Sequence, residues 1–153
     1  MQIWVDADAC PKAIREILFR AAERTHTLTT FVANHYLTTP PSPHIKFLQV
    51  EPGFDEADLE IVKRVRPGDL VVSADIPLAS DVIDKGGNVI DPRGERYTRD
   101  NIEERLNMRE LMETLRAGGV ETGGPAALSS RDIQAFANQF DKFLTQQGVN
   151  KFH

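Results

Sequence analysis

The sequence predicts an α/β protein built on a mostly parallel sheet. Short apolar runs alternate along the chain with segments of helical periodicity, the arrangement that yields parallel strands joined by crossovers. Three of those runs, Ile3-Trp4-Val5-Asp6, Leu70-Val71-Val72-Ser73-Ala74-Asp75 and Val89-Ile90-Asp91, lead straight into an aspartate. Runs of this length read as strands buried on both faces of a sheet. Open α/β sheets bind ligands just beyond the carboxyl ends of their strands. Neighbouring strands of this kind would therefore bring their aspartates to one edge.

Ile3–Asp6 is the first predicted strand. Pro11 opens a helix whose apolar residues, Ile14, Ile17, Leu18, Ala21 and Ala22, fall on one face of a 3.6-residue period. A second strand covers Leu28–Ala33. His35 to His44 holds Pro40, Pro41 and Pro43 and reads as an irregular loop. A short third strand follows over Ile45–Val50. Pro52-Gly53 punctuates, a helix runs from about Asp55 to Val65, and Pro67-Gly68 ends it. Leu70–Ala74 is a strand. Pro77 starts a helix with Leu78, Ala79, Val82 and Ile83 inward, closed by Gly86-Gly87. Asn88–Ile90 is the last predicted strand.

Beyond Asp91 the pattern changes. Pro92-Arg93-Gly94-Glu95-Arg96-Tyr97 reads as a polar loop, and Thr98 as the cap of a long helix to about Ala117. Gly118, Gly119, Gly123, Gly124 and Pro125 mark a second loop. Ser129 with Asp132 resembles a capping box, and the helix behind it carries Ile133, Phe136, Ala137, Phe140 and Leu144 on one face. The expected organisation is one domain over residues 1–153, with an α/β core over 1–91 and appended C-terminal helices over 92–153.

The 153 residues suffice for one domain with a usable core. No stretch approaches the length needed to span a bilayer, and the apolar start, Ile3 to Val5, is too short for a signal peptide. Cys10 is the only cysteine, so neither an internal disulfide nor a cysteine zinc site is expected. A bacterial, cytoplasmic protein with no membrane partner is the simplest expectation. The net charge of −5 argues against a module that holds nucleic acid by charge alone. It argues less against an enzyme whose carboxylates are offset by a bound metal.

Asp6 and Asp8 flank the end of the first strand, although Asp8 can also serve as a helix cap. Asp58 shares a helical stripe with Ile61, Val62 and Val65. It therefore faces inward, and a buried carboxylate needs a partner. Asp55 is most simply an N-cap. Asp75 precedes Ile76-Pro77, where capping and metal ligation can coexist, while Asp91 before Pro92 can open a turn. Clustered carboxylates repel unless a cation sits between them, and oxygen-only sites suit Mg²⁺ or Mn²⁺.

Arg93 and Arg96 follow the last predicted strand on the same edge, and arginine's planar fork suits phosphate. Arg105, Arg109 and Arg116 share a helical stripe along which a phosphodiester backbone could lie. A solvated face with an Arg109–Glu113 pair is the plainer reading. Thr122-Gly123-Gly124-Pro125 can bind an anion before a helix N-terminus, or can simply be an interhelical turn. Cys10 lacks a nearby base, and its acidic neighbours disfavour the thiolate.

Several of these stretches resemble one family. They are Trp4-Val5-Asp6-Ala7-Asp8-Ala9-Cys10-Pro11, Gly53-Phe54-Asp55 with Asp58, Ala74-Asp75-Ile76-Pro77-Leu78-Ala79, and Asp91-Pro92-Arg93-Gly94-Glu95-Arg96-Tyr97-Thr98. Met108-Arg109, Thr122-Gly123-Gly124-Pro125 and Ser129-Ser130-Arg131-Asp132 belong with them. Together they resemble the YaiI/YqxD family of bacterial proteins, over nearly the whole chain. That family is grouped by distant similarity with PIN-like nucleases. The resemblance implies a Rossmann-like three-layer fold and Mg²⁺- or Mn²⁺-dependent phosphodiester hydrolysis, with RNA as the substrate. It assigns the catalytic and metal-binding acids to Asp6, Asp8, Asp58 and Asp75, while Arg93, Arg96 and Arg109 are the candidates for substrate. Asp91 departs from the asparagine of some members, which weakens a metal role for it.

Two other readings fit parts of the pattern. A strand running into Asp6-Ala7-Asp8 resembles the opening of haloacid-dehalogenase-type phosphatases, where the first aspartate is the nucleophile. Ser73 would stand in for their later hydroxyl. A non-catalytic RNA-binding module would keep the acids for structure alone, and its RNA binding would survive Asp6→Asn.

Overall fold

The computed structural model describes residues 1–53, 55–121 and 127–149. In chain order the elements are β1 (Ile3–Asp6), α1 (Lys12–Thr25), β2 (Thr29–Ala33), β3 (Ile45–Gln49), α2 (Glu56–Arg64), β4 (Leu70–Val72) and α3 (Ile76–Asp84). They continue with β5 (Asn88–Ile90), β6 (Arg96–Tyr97), α4 (Arg99–Ala117) and α5 (Ser130–Gln146). A short 3₁₀ turn, Ala7–Ala9, separates β1 from α1.

The strands form one sheet in the order β3-β2-β1-β4-β5-β6. The first five run parallel, and β6 is antiparallel to β5. β1 lies at the centre, with Trp4 paired between Thr30 of β2 and Val71 of β4. Side chains alternate across a strand, so β1 serves two cores. Ile3 and Val5 pack with Ile14, Leu18, Phe31, Phe136, Phe140 and Phe143 on the face covered by α1 and α5. Trp4 packs with Ile61, Val65, Leu78, Val82 and Ile102 on the face covered by α2, α3 and α4. The outcome is a mostly parallel sheet flanked by helices, with a C-terminal helical extension: the α/β class that the alternating runs predict.

The local signals also hold at the helix starts. Ser129 Oγ accepts from the Asp132 amide at 3.1 Å while an Asp132 carboxylate oxygen accepts from the Ser129 amide at 3.0 Å, closing a capping box on α5. Asp75 Oδ1 caps α3 by accepting from the Leu78 amide at 2.9 Å. At the opposite end of β4, buried Asp69 accepts from the amides of Gln2 and Arg66 and from the indole of Trp4.

One expectation is corrected. Asn88–Ile90 is not the last strand, because residues 96–97 of the expected polar loop form β6. Asp91 makes the hairpin. Its Oδ1 accepts from the amides of Arg93 and Glu95, both at 2.9 Å, and Tyr97 donates its hydroxyl to Oδ2 at 3.2 Å. A two-residue strand has no periodicity to read. The same bonds show that the third strand-end aspartate is spent on its own turn.

Gly94 lets this hairpin approach α5. Its φ is +90°, and a Cβ built there would lie 2.5 Å from the carbonyl carbon of Ala135. Backbone strain and overpacking both follow from adding a side chain. Gly94→Ala is therefore expected to destabilise the protein by about 3 kcal/mol, read as a lowered midpoint in urea unfolding.

Candidate functional site

The site is built where helices α2 and α3 begin. Asp55 occupies the N-cap position of α2 and Asp58 sits in its first turn, while Asp75 caps α3. α2 and α3 pack side by side, so their N-termini bring these carboxylates together. One oxygen from each of Asp55, Asp58 and Asp75 lies within 4.8 Å of the others. They line a pocket of about 200 Å³ with Leu59, Val62, Asp81 and Arg109. The positive ends of two helix dipoles reduce the mutual repulsion of the carboxylates without cancelling it.

Asp55 holds the expected N-cap position of α2 without a cap's side-chain bond. Its φ is 63°, in the left-handed region, and its side chain makes no capping hydrogen bond. A cap would have turned that carboxylate onto the α2 amides; instead it joins the cluster. The spacing of Asp55 and Asp58, three residues apart at a helix start, was the available signal.

Asp6 closes the site from the side of β1. It is 8% exposed, and its Oδ2 accepts from Ser73 Oγ at 2.9 Å. The same Ser73 oxygen accepts from the Asp75 amide at 3.0 Å. A single hydroxyl thus ties the end of β1 to the turn that carries Asp75. Burial raises the Asp6 carboxyl above its ordinary range. The Ser73 hydrogen bond opposes that rise, and the charges of Asp75 and Asp8 add to it.

Asp58 shows the strongest perturbation. Burial first, then a hydrogen bond to Asp75 and the charges of Asp75, Asp6 and Asp55, push its carboxyl up to about 8. At neutral pH the metal-free cluster therefore keeps a proton on Asp58, because a further negative charge is unfavourable there.

The remaining predicted residues divide. Asp6 and Asp8 lie outside the set of three, although Asp6 acts on it through charge. Asp8 does not cap α1, whose N-cap is Pro11. Its carboxylate instead takes the Asn34 amide at 2.9 Å and meets His35 Nδ1 at 2.9 Å. Arg93 pairs with Asp132 at 2.7 Å. Arg96 donates to Asn88 and Gln146 and lies over the ring of Phe143. Arg109 alone of the three expected arginines lines the acidic pocket, where it pairs with Glu113 at 2.7 Å. Cys10 is buried and its thiol is pushed up to about 12, mainly by that burial. The Thr122-Gly123-Gly124-Pro125 segment lies outside the described residues.

The donors fit a hard cation. All are carboxylate oxygens, the type that Mg²⁺ and Mn²⁺ prefer. Oxygen ligands of one octahedral Mg²⁺ stand about 3 Å apart when adjacent and about 4.2 Å when opposite, and the cluster's oxygens lie within 4.8 Å of one another. The charges of Asp75, Asp6 and Asp55 all act on Asp58 and favour a positive charge among them. No helix among the described residues is long and apolar enough to cross a membrane.

The fold and the site together define an α/β protein with an aspartate cluster able to coordinate a metal at the carboxyl edge of its parallel strands. The profile of the family described as Uncharacterized BCR, YaiI/YqxD family matches residues 4–146, and the chain belongs to that bacterial family. A UPF0178 protein of Pectobacterium carotovorum is 63% identical over 146 residues, covering 95% of this chain and 97% of the relative. A UPF0178 protein of Syntrophotalea carbinolica is 62% identical, with 95% and 99% covered. One from Thioalkalivibrio sulfidiphilus is 62% identical over 147 residues, with 96% and 100% covered. No solved structure matches the chain.

Proposed function

We propose that the protein is a divalent-metal-dependent nuclease that hydrolyses phosphodiesters, with RNA as substrate and Mg²⁺ or Mn²⁺ as cofactor. The observation that carries this reading is the convergence of Asp55, Asp58 and Asp75, one oxygen of each within 4.8 Å of the others. Position supports it as well. The parallel strands run in the order 3-2-1-4-5, the order typical of Rossmann-like sheets, which supports the Rossmann-like, PIN-like reading. Its switch point falls between β1 and β4, the place where such sheets bind ligands, and Asp6 and Asp75 follow those two strands.

In this reading Asp55, Asp58 and Asp75 would hold the ion, with Asp58 in its ionised form. When bound, the metal supplies a nucleophilic water at neutral pH and neutralises charge on the phosphate. Asp6 deepens the negative potential and, through Ser73, holds the backbone of Asp75 in place. Asp8 borders the same edge. Arg109 turns from Glu113 to a phosphate oxygen. Arg93 and Arg96, engaged by α5 and Asn88, support the hairpin beside the site and leave Arg109 as the main phosphate contact.

Direct attack by Asp6, as a phosphatase would require, suits the geometry less well, since Ser73 occupies its Oδ2. Calorimetric titration with Mn²⁺, followed by assays on single-stranded, hairpin and duplex RNA and DNA, tests the proposal. Metal binding with metal-dependent cleavage of RNA is the expected result. Metal binding without turnover on any substrate would remove the nuclease reading, and trapped aspartyl-phosphate at Asp6 would replace it with the phosphatase one.

A further inference from the structure

The chain has excess acid, yet five of its 18 lysine and arginine side chains surround one groove. They are Lys46 on β3, Lys63 and Arg64 at the end of α2, Arg66 just beyond it, and Lys85 after α3. The groove encloses about 900 Å³, and Trp4, Thr30 and Leu48 of the sheet lie along it. No carboxylate lines it among the described residues. Arg64 pairs with Glu60, and Lys85 donates to the Val62 carbonyl. The side chains of Lys46, Lys63 and Arg66 are exposed and have no hydrogen bond or ion pair among the described residues.

Ordinary causes explain the charges one at a time. Lysine on an edge strand such as β3 discourages strand pairing. Cations near a helix C-terminus complement its dipole, which covers Lys63, Arg64 and Lys85. Neither cause brings five cations from four segments around one concavity that excludes carboxylates. The volume corresponds to about thirty waters' share of liquid, far more than a lone phosphate needs.

We infer that this groove binds the phosphate backbone of single-stranded nucleic acid. Successive phosphates meet Lys46, Lys63 and Arg66, and sugars and bases lie over the partly buried Leu48 on the groove floor. Salt-sensitive attraction of this kind needs a local array of cations, not a basic protein. The groove and the aspartate cluster sit at opposite ends of α2. Six residues separate Asp58 from Arg64, about 9 Å along the helix axis, so one strand of a few nucleotides can reach both. Binding in the groove requires no hydrolysis at the acids.

The test is fluorescence anisotropy with a labelled single-stranded RNA in EDTA, where cleavage is silent. Wild type is compared with Lys63→Glu/Arg66→Glu and, on a separate element, Lys46→Glu, with thermal melting as the check on folding. The expected result is a loss of about ten-fold or more for the double variant. Its salt slope should fall by about 1.4, the value for two phosphate contacts to a single strand. Unchanged affinity in all three groove substitutions, or no binding by wild type at low salt, would overturn the inference. So would displacement of the strand by free ATP at lower concentrations than unlabelled strand, which would mark a site for free nucleotide. A wild type that binds RNA here yet takes up no Mn²⁺ would leave the groove standing and remove the nuclease reading alone.

Discussion

Replacing Asp75 by asparagine is expected to eliminate Mn²⁺ binding and metal-dependent cleavage while leaving the protein folded. Asparagine is as good an N-cap as aspartate, so the bond from the Leu78 amide to the residue 75 side chain is kept. The change removes one negative oxygen donor from a set of three. Changing residues that merely orient a metal ligand already costs about 10–100-fold, so losing a charged ligand should cost at least about 100-fold in affinity. The same substitution takes away the hydrogen bond and charge that help hold the proton on Asp58. Calorimetry and circular dichroism on one preparation separate the effects. Wild-type Mn²⁺ affinity in a folded Asp75→Asn variant would dismiss the cluster as a metal centre.

The second large effect is in pH. Asp58 titrates near 3.8 when unperturbed and is pushed up to about 8 in the folded protein. A cation must displace that proton. Mn²⁺ affinity is therefore expected to rise about ten-fold per pH unit from pH 6 to pH 8 and to level off above. The metal-free protein should show the opposite trend. Between about pH 4 and 8 the folded state keeps a proton on Asp58 that the unfolded chain releases, so stability falls as pH rises. Below pH 4 both states are protonated, and above 8 the penalty is constant. Asp58→Asn should flatten this part of the stability profile and weaken Mn²⁺ at every pH. Denaturant midpoints between pH 4 and 9 measure the first trend and calorimetry the second. An affinity for Mn²⁺ that is independent of pH in wild type would contradict the protonated Asp58.

Much of the fold was legible because its signals are local. β1, β4 and β5 show as apolar runs, α1 and α3 show as stripes of 3.6 periodicity, and the α5 start shows in Ser129 and Asp132. β6 was not legible, since two residues carry no period and a turn stabilised by Asp91 makes the strand. The site was half legible. Asp58 and Asp75 stood out because an inward carboxylate and a strand-end carboxylate each need a partner. Asp55 was hidden behind its cap position, and the role of Ser73 depends on two hydrogen bonds between β1 and β4 that no spacing shows.

The α/β class, the run of elements and the acids at strand ends follow from neighbouring residues, because propensity and periodicity act over short stretches. Long-range packing settles that Asp55 belongs with Asp58 and Asp75, that Asp91 serves its own turn, and that five cations share a groove. Those choices depend on how α2 and α3 seat on the sheet. Packing forces sum over many apolar contacts across the whole chain, and the direction in which a single carboxylate points is settled only when that sum is complete.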